Sequence, residues 1–253
     1  MYKGYLIDLD GTMFNGNSVI DGAIHFIDRL NEADIPYLFL TNNATRTPIE
    51  ILKKMKDMGF TTTEDHFYTS AMAMKEYLNS AFDSPSVFVI GTDSFKDTLI
   101  KDGRIVLNNQ TPDAVVMGLD PAITFDKITA ACKLIQEGAL FLATNPDIKI
   151  KTDYGFSPGN GSFVRLVSEV TGQSPIITGK PYSHILNGAL MRLNMTAGDV
   201  AMIGDNYDTD ILTGINGGVS TIHVGTGVHS KDHVNSRTLP PAHCVNLLTD
   251  WQL

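Results

Sequence analysis

The chain has 253 residues, of which 43% are hydrophobic and 19% are charged. This is the composition of an ordinary globular protein, and the length allows one large core or two smaller ones. The formal net charge of −9, without a cluster of Lys and Arg, argues against nucleic acid or an anionic membrane surface as a partner. A small anionic ligand is still compatible, because a few donors in a cleft outweigh distant, screened charges.

The cysteines and the apolar runs bear on cellular location. Cys132 and Cys244 lie far apart in the sequence, which favours free thiols in a reducing compartment over a disulfide framework. The first residues lack the basic and apolar regions of a signal peptide. No apolar run approaches the roughly 18 residues needed to cross a bilayer. We therefore expect a cytoplasmic protein without a membrane partner.

Short apolar strands alternate with helical patterns along the chain, which predicts an α/β fold with a mostly parallel sheet. The first strand reaches Asp8, and the next spans 37–42, YLFLTN. After it, the segment TPIE at 47–50 has the N-cap, the first-turn proline and the capping-box glutamate of a helix. We expect that helix to run to about Met58, because a glycine follows it.

A second α/β series follows a break at 83–85, DSP. The later predicted strands are 67–70, 86–91, 113–119, 139–145, 175–181 and 199–205. The later predicted helices are 71–78, 94–101, 124–137 and 162–171. We predict a core made of both chain ends, 1–80 and 177–253, interrupted by an inserted α/β domain at 81–176. Residues 148–163 read as a loop, too long for a mere connector.

Polar residues follow four of the predicted strands. They are Asp8-Leu9-Asp10-Gly11-Thr12, Thr41-Asn42-Asn43, Gly179-Lys180-Pro181 and the segment 204–210, GDNYDTD. Function collects at the carboxyl ends of parallel strands. Each segment alone is weak, because Asp-x-Asp, Thr-Asn-Asn and Gly-Lys-Pro often form simple turns. The four in this order favour a functional site.

The chemistry that needs this set is phosphoryl transfer. Asp8 and Asp10, two residues apart, can point into one cleft at the end of a strand. With Asp205 they offer only oxygen ligands, which suit Mg²⁺. Lys180 and Thr41 can hold phosphate oxygens. One aspartate can then attack phosphorus while the other protonates the leaving oxygen.

These segments resemble the four motifs of the haloacid dehalogenase (HAD) superfamily of aspartyl phosphatases. LIDLDGT resembles the first motif, Thr41 the second, Lys180 the third and GDNYDTD the fourth. The insert between the second and third motifs is similar to members whose cap domain lies there. The segments TNN, FYTSAMA, ATNPD and ITGKP resemble the NagD-type branch, which includes acid-sugar phosphatases and p-nitrophenyl phosphatases.

The resemblance implies a Rossmann-like core with an inserted α/β cap domain, and it implies a role for each matching residue. Asp8 would be the nucleophile and Asp10 the general acid and base. Mg²⁺ would be held by Asp8, the backbone carbonyl of Asp10 and Asp205. The implied phosphate ligands are Thr41, Asn42, Asn43 and Lys180. The implied supporting residues are Asn206 and Asp210, the latter orienting Lys180 or a metal-bound water.

In the cap, the candidates for contact with the rest of the substrate are Asn145, Asp147, Lys149 and Lys151. For the two lysines, a solvent-exposed face is the competing interpretation. The predicted function is a Mg²⁺-dependent phosphatase acting on small phosphorylated metabolites, such as sugar or acid-sugar phosphates, as a monomer or homodimer. Two alternatives stay open. A receiver-like signalling module would be far shorter and lack Asp10, and a phosphotransferase or mutase usually carries its cap after the first motif.

Overall fold

The computed structural model describes residues 2–152 and 155–253. Its strands, in chain order, are β1 (Gly4–Ile7), β2 (Phe14–Asn15), β3 (Ser18–Val19), β4 (Tyr37–Thr41), β5 (Phe67–Thr69), β6 (Ser86–Ile90), β7 (Val106–Leu107), β8 (Ala114–Met117), β9 (Leu140–Ala143), β10 (Lys149–Thr152), β11 (Gly155–Pro158), β12 (Ile176–Ile177), β13 (Val200–Gly204), β14 (Ser220–Val224) and β15 (His243–Val245).

The helices alternate with these strands. They are α1 (Ala23–Glu32), α2 (Pro48–Asp57), α3 (Ser70–Ala81), α4 (Asp93–Ile100), α5 (Phe125–Gln136), α6 (Asn160–Thr171), α7 (Ser183–Leu193), α8 (Leu212–Gly217) and α9 (Lys231–Asn235). The side chain of Thr124 caps α5 by accepting from the backbone N–H of Lys127, as N-cap threonines do. Within the described part of the chain, no helix combines the length and the hydrophobicity that a bilayer crossing requires.

The chain divides into two compact units. The first unit comprises Met1–Thr41, Pro48–Tyr68 and Lys180–Leu253, and the second comprises Asn42–Thr47 and Thr69–Gly179. Helix α3 belongs to the second unit, where Met74 and Leu78 pack in one apolar cluster with Phe95. The assignment of 1–80 and 177–253 to a catalytic core and of 81–176 to a cap domain stays a prediction.

A six-stranded sheet carries the first unit, in the order β15-β14-β13-β1-β4-β5. Strand β1 pairs in parallel with β13 on one side and with β4 on the other. All residues of β1, β4 and β13 are buried, as expected for the centre of a parallel sheet covered on both faces. Because the strand order reverses between β1 and β13, their carboxyl ends border the crevice where α/β folds bind ligands.

A second parallel sheet carries the second unit. Its five strands have the order β12-β9-β8-β6-β7, and the pairs β6–β7, β6–β8, β8–β9 and β9–β12 are parallel. Apolar residues from this sheet, α5 and α6 form a separate core cluster. The predicted α/β class and the mostly parallel sheet are therefore confirmed.

The structure corrects the expectation for residues 148–163. Instead of an irregular loop, β10 and β11 form an antiparallel hairpin, in which Lys149 pairs with Pro158 and Lys151 with Phe156. Helix α6 begins at Asn160, two residues earlier than expected. A Cβ on Gly161 would overlap the backbone of Pro146, so a glycine is required where the helix start crosses this segment.

Candidate active site

Two aspartates follow the central strands of the first unit. Asp8 comes directly after β1, and its backbone N–H donates to the carbonyl of Ile203 in β13 at 2.9 Å. Asp205 comes directly after β13. Since β1 and β13 are parallel neighbours, both carboxylates lie at the same edge of the sheet. The strand-end prediction for these two residues thus matches their positions.

Lys180 joins this edge through two ion pairs. Its Nζ donates to Oδ1 of Asp8 at 2.6 Å and to Oδ1 of Asp210 at 2.7 Å. The lysine, both of these aspartates and Asp205 are buried. Buried charges persist only when they are paired and hydrogen-bonded. The structure therefore brings together four of the residues that the motifs singled out.

A tight turn presents Asp8 and Asp10. The carbonyl of Leu9 accepts from the backbone N–H groups of Thr12, Met13 and Phe14. Gly11 has a φ of 96°, which glycine adopts at low cost. Within this turn the side chain of Asp10 is exposed while that of Asp8 is buried. The two aspartates thus have different environments, as separate chemical roles require.

A π-helical turn at Tyr207–Ile211 positions Asp210. The backbone carbonyl of Asn206 accepts from the backbone N–H of Asp210 at 2.9 Å. The side chain of Asn206 accepts from the backbone N–H of Asp208. Oδ2 of Asp210 accepts from the backbone N–H of Asn206 at 3.1 Å. Because protein donors engage both oxygens of Asp210, its contacts support the expectation that it orients Lys180.

Burial shapes the ionisation of this cluster. Desolvation, followed by the charge of Asp210, raises the pKa of Asp205 to about 7. Desolvation and the neighbouring carboxylates also raise the pKa of Asp8, although Lys180 opposes them. Burial alone would lower the pKa of Lys180, but the charges of Asp210 and Asp8 outweigh it and raise that pKa. Lys180 is therefore a fixed positive charge.

The carboxylates of Asp8, Asp205 and Asp210 form a group that fits a metal ion. Each offers an oxygen atom, and these atoms all lie within 4.8 Å of one another. Lys180 carries one positive charge and can neutralise only one of the three carboxylates. The raised pKa values of Asp8 and Asp205 are consistent with this excess of negative charge. Oxygen donors with excess negative charge suit a hard divalent cation. The residues present thus fit a metal site.

The remaining predicted site residues are on β4, directly after it, and on β10. Thr41 is the buried last residue of β4, the strand beside β1. Oδ1 of Asn43 accepts from the backbone N–H and the hydroxyl of Thr45, and Asn42 contacts Asn145 and Asp147 within the second unit. Lys149 and Lys151 are exposed on β10.

A fifth strand end contributes residues that the motifs did not reveal. Strand β14 is followed by Gly225-Thr226-Gly227-Val228. The backbone N–H of Val228 donates to Oδ2 of Asp205 at 2.5 Å, and the Thr226 hydroxyl donates to the carbonyl of Gly11 at 2.6 Å. The signal was present, since two glycines directly after an apolar strand often mark a close approach of the backbone to a ligand or side chain.

Gly227 allows a direct test of this support. A Cβ at Gly227 would overlap the carboxylate of Asp205, so we expect Gly227→Ala to displace that carboxylate and to lower any activity that depends on it at least about tenfold, as loss of supporting contacts does in a metal site. Gly225→Ala is the matched control, because its Cβ would meet only atoms at 3.7 Å. Equal activity of both variants in steady-state assays would contradict the role of this loop.

The first unit has a parallel sheet with buried aspartates at its switch point, and a lysine is paired to two of these aspartates. These are groups that a phosphoryl-transfer enzyme needs. A haloacid dehalogenase-like hydrolase family model matches residues 5–104, and a HAD-hydrolase-like model matches 177–251. The acid sugar phosphatase of Staphylococcus epidermidis strain RP62A is 42% identical over 242 residues, covering 96% of this chain and 93% of that one.

Solved structures agree. A double mutant of the thermostable NPPase from Geobacillus stearothermophilus matches with a TM-score of 0.93 and 37% identity, covering 99% of this chain and 98% of that one. NagD from E. coli K-12 matches with a TM-score of 0.93 and 28% identity, covering 100% and 99%. The chain belongs to the haloacid dehalogenase-like hydrolase family. The predicted family, its NagD-type branch and the prediction of a phosphatase are confirmed.

Proposed function

We propose that this phosphatase hydrolyses phosphate monoesters of small metabolites, with sugar and acid-sugar phosphates as the leading class, through an aspartyl-phosphate intermediate. The observation that carries the proposal is the buried contact between Asp8, Lys180 and Asp210, with Asp205 beside it. A carboxylate oriented by a fixed positive charge is the arrangement that nucleophilic attack on a phosphate ester needs.

In the first step, an oxygen of Asp8 attacks phosphorus and the bond from phosphorus to the ester oxygen breaks. Asp10, as a carboxylic acid, gives its proton to that leaving oxygen. Lys180 keeps the Asp8 carboxylate in one orientation through the 2.6 Å contact and offsets negative charge on the phosphoryl group. Its pairing with Asp210 keeps the ammonium in place.

In the second step, Asp10 acts as a base. Its carboxylate takes a proton from a water molecule, whose oxygen attacks phosphorus and releases Asp8 and inorganic phosphate. The exposure of Asp10 supports this role, because both the leaving group and the water must reach it. Thr41, Asn42 and Asn43 stay predicted phosphate ligands, with Asn206 as a predicted support.

The metal is proposed to be Mg²⁺, held by Asp8, Asp205 and the backbone carbonyl of Asp10. When bound, it would neutralise the carboxylates and polarise the phosphate oxygens. We expect EDTA to abolish turnover and Mg²⁺ to restore it. Ca²⁺ is expected to inhibit, because its coordination is larger and less regular. Full phosphate release by EDTA-treated, metal-free protein would contradict the assignment.

The substrate class rests on two relatives. One is an acid sugar phosphatase, and the other is an NPPase. The test is a screen of phosphorylated metabolites with Mg²⁺ that measures released inorganic phosphate. Release of inorganic phosphate distinguishes hydrolysis from transfer of the phosphoryl group to another sugar and from a stable phosphorylated signalling state. We expect sugar or sugar-acid phosphates to give the highest kcat/KM among metabolites.

Lys149 and Lys151 are proposed to contact a second anionic group of the substrate. Lys149 Nζ lies 4.4 Å from the ring centre of Phe156, so it has a partner within its own hairpin, whereas Lys151 is the clearer candidate. We expect Lys151→Ala to raise KM for phosphorylated sugar acids more than for p-nitrophenyl phosphate, which has no second anion to pair. Equal effects on both substrates would show that Lys151 does not contact the substrate and instead lies on a solvent-exposed face.

Two further expectations stay proposals. A homodimer and a monomer are both compatible with the chain, and sedimentation at assay concentrations distinguishes them. A cytoplasmic location is tested by fractionating the cells that produce the protein.

A further inference from the structure

Asn42 is the centre of a hydrogen-bonded cluster within the second unit. Its Nδ2 donates to Oδ2 of Asp147 at 3.1 Å. Its backbone carbonyl accepts from Nδ2 of Asn145 at 3.0 Å and from the Ser70 hydroxyl at 2.8 Å. Asn42 and Asp147 are 105 positions apart in the sequence, so the cluster joins distant parts of the chain.

The partners of Asn42 are themselves held in place. Oδ1 of Asn145 accepts from the backbone N–H of Asp147 at 3.2 Å. The buried side chain of Asn160 donates to the carbonyl of Asn145 at 3.2 Å, and the N–H of Gly161 donates to the carbonyl of Asp147 at 2.9 Å. Asn145 and Asp147 therefore have little freedom to reorient toward a ligand.

Gly179 packs directly against this cluster. A Cβ on Gly179 would lie 2.6 Å from Oδ1 of Asn42 and 3.2 Å from Cβ of Ser70. Asn42 directly follows Thr41, and Gly179 directly precedes Lys180. The two residues packed on each other are thus one peptide bond away from Thr41 and Lys180, which are two of the residues proposed to hold the phosphate.

The alternative is that the cluster side chains contact the substrate themselves, as the resemblance implies. Nδ2 of Asn145 also donates to the Thr144 hydroxyl at 3.3 Å, so its amide hydrogens and its oxygen all have protein partners. For Asp147 the predicted contact is with the part of the substrate beyond the phosphate. Its Oδ2 instead accepts from Asn42, and hydrogen bonds to charged acceptors are the stronger kind.

We infer that Asn42, Asn145 and Asp147 are positioning residues whose side chains hold together the chain segments that lead into Thr41 and Lys180, and that none of these side chains binds the substrate. The predicted contact of Asn42 with the phosphate is then made by its backbone N–H alone. The inference rests on the proposed function, because its consequence is the placement of the phosphate ligands. Displacing such groups by about 1 Å can cost on the order of 100-fold in rate.

Exchanging the two partners tests the inference. Asn42→Asp sets two carboxylates against each other, and we expect it to lower kcat/KM for p-nitrophenyl phosphate at least about tenfold. Asn42→Asp with Asp147→Asn restores one donor and one acceptor in reversed order, and we expect it to recover most of that loss. Asp93→Asn, the same change on an exposed side chain of the second unit, should leave kcat/KM unchanged.

A second measurement covers the case in which Asn42→Asp does not fold. Asp147→Ala removes the acceptor, and we expect it to lower kcat/KM by the same factor for a sugar phosphate and for p-nitrophenyl phosphate. A substrate contact would instead affect the sugar phosphate more, and that result would overturn the inference.

The outcomes also separate the inference from the function. An active wild-type protein whose double variant is as impaired as Asn42→Asp would overturn the inference alone. A wild-type protein that releases no phosphate from any ester would overturn the proposed function, and the inference with it.

Discussion

Replacement of Asp8 by asparagine is expected to abolish phosphate release and to prevent formation of any phosphoenzyme. An amide does not attack phosphorus as a carboxylate does. The other two carboxylates of the cluster cannot substitute for it, because Asp205 accepts from Val228 and Asp210 is held by Lys180 and Asn206. The measurement is phosphate release with Mg²⁺ at saturating substrate.

The Asp8 variant is expected to stay folded. The amide has nearly the shape of the carboxylate, and Lys180 keeps Asp210 as its partner at 2.7 Å. Removing one of several clustered negative charges also relieves repulsion. Asp208→Asn is the matched control, since that side chain lies on the same segment as Asp210 and is 59% exposed. An active Asp8→Asn variant would disprove the role of Asp8.

Replacement of Asp10 by asparagine is expected to lower kcat by about 10²–10⁴-fold, the usual contribution of general acid–base catalysis. The amide can neither protonate the leaving oxygen nor accept a proton from water. KM should change little, because the proposed metal contact of Asp10 is its backbone carbonyl, which the substitution keeps. The turn is also kept, since the carbonyl of Leu9 and the N–H of Gly11 hold it.

The leaving group provides the control for Asp10. p-Nitrophenolate departs without a proton, whereas a sugar alkoxide needs one, so formation of the phosphoenzyme should suffer less with p-nitrophenyl phosphate. The variant and the wild type are compared on both substrates by stopped-flow and steady-state assays. A variant within about tenfold of the wild-type kcat on both, below the range for acid–base help, would show that the two-aspartate mechanism is wrong.

The sequence predicted the parts of the site that follow from strand ends. Asp8, Asp205 and Asp210 each come shortly after an apolar strand of the six-stranded sheet, and parallel strands align their carboxyl ends at one edge. Lys180 was also predicted at a strand end, but the strand before it, β12, belongs to the second sheet, so this alignment does not explain its position. The same local logic predicted α2 and a helix at 124–137, where the structure has α5 at Phe125–Gln136 with Thr124 as its N-cap. Such features depend on residues that are neighbours in the sequence, and they can therefore be predicted from the sequence alone.

Features that depend on distant contacts were not predicted. The hairpin β10–β11 was missed because both faces of β10 are largely exposed, so its sequence lacks a useful alternation of buried and exposed residues. The bond from Val228 to Asp205 spans 23 positions, and that from Asn42 to Asp147 spans 105. The role of Thr-Asn-Asn as a set of phosphate ligands stays a prediction, whereas the hydrogen bond from the side chain of Asn42 to Asp147 was not predicted.

Helix α3 lies just before the predicted domain boundary, which stays a prediction. The DSP segment at 83–85 resembled a boundary between domains, because proline and polar residues interrupt the α/β pattern there. Met74 and Leu78, which precede that segment, nonetheless pack with Phe95 in one cluster. A break in secondary structure does not by itself separate hydrophobic cores, which are defined by packing.

The most direct test of the account is the chemical identity of the intermediate. The Asp10→Asn variant, mixed with p-nitrophenyl phosphate and Mg²⁺ and quenched in acid, should accumulate a phosphoenzyme, because p-nitrophenolate can leave but water is not activated. Digestion and tandem mass spectrometry are expected to find one phosphoryl group on the peptide that contains Asp8, attached to Asp8 itself. Release of p-nitrophenolate without any phosphorylated peptide, or a phosphoryl group on another residue, would contradict the account.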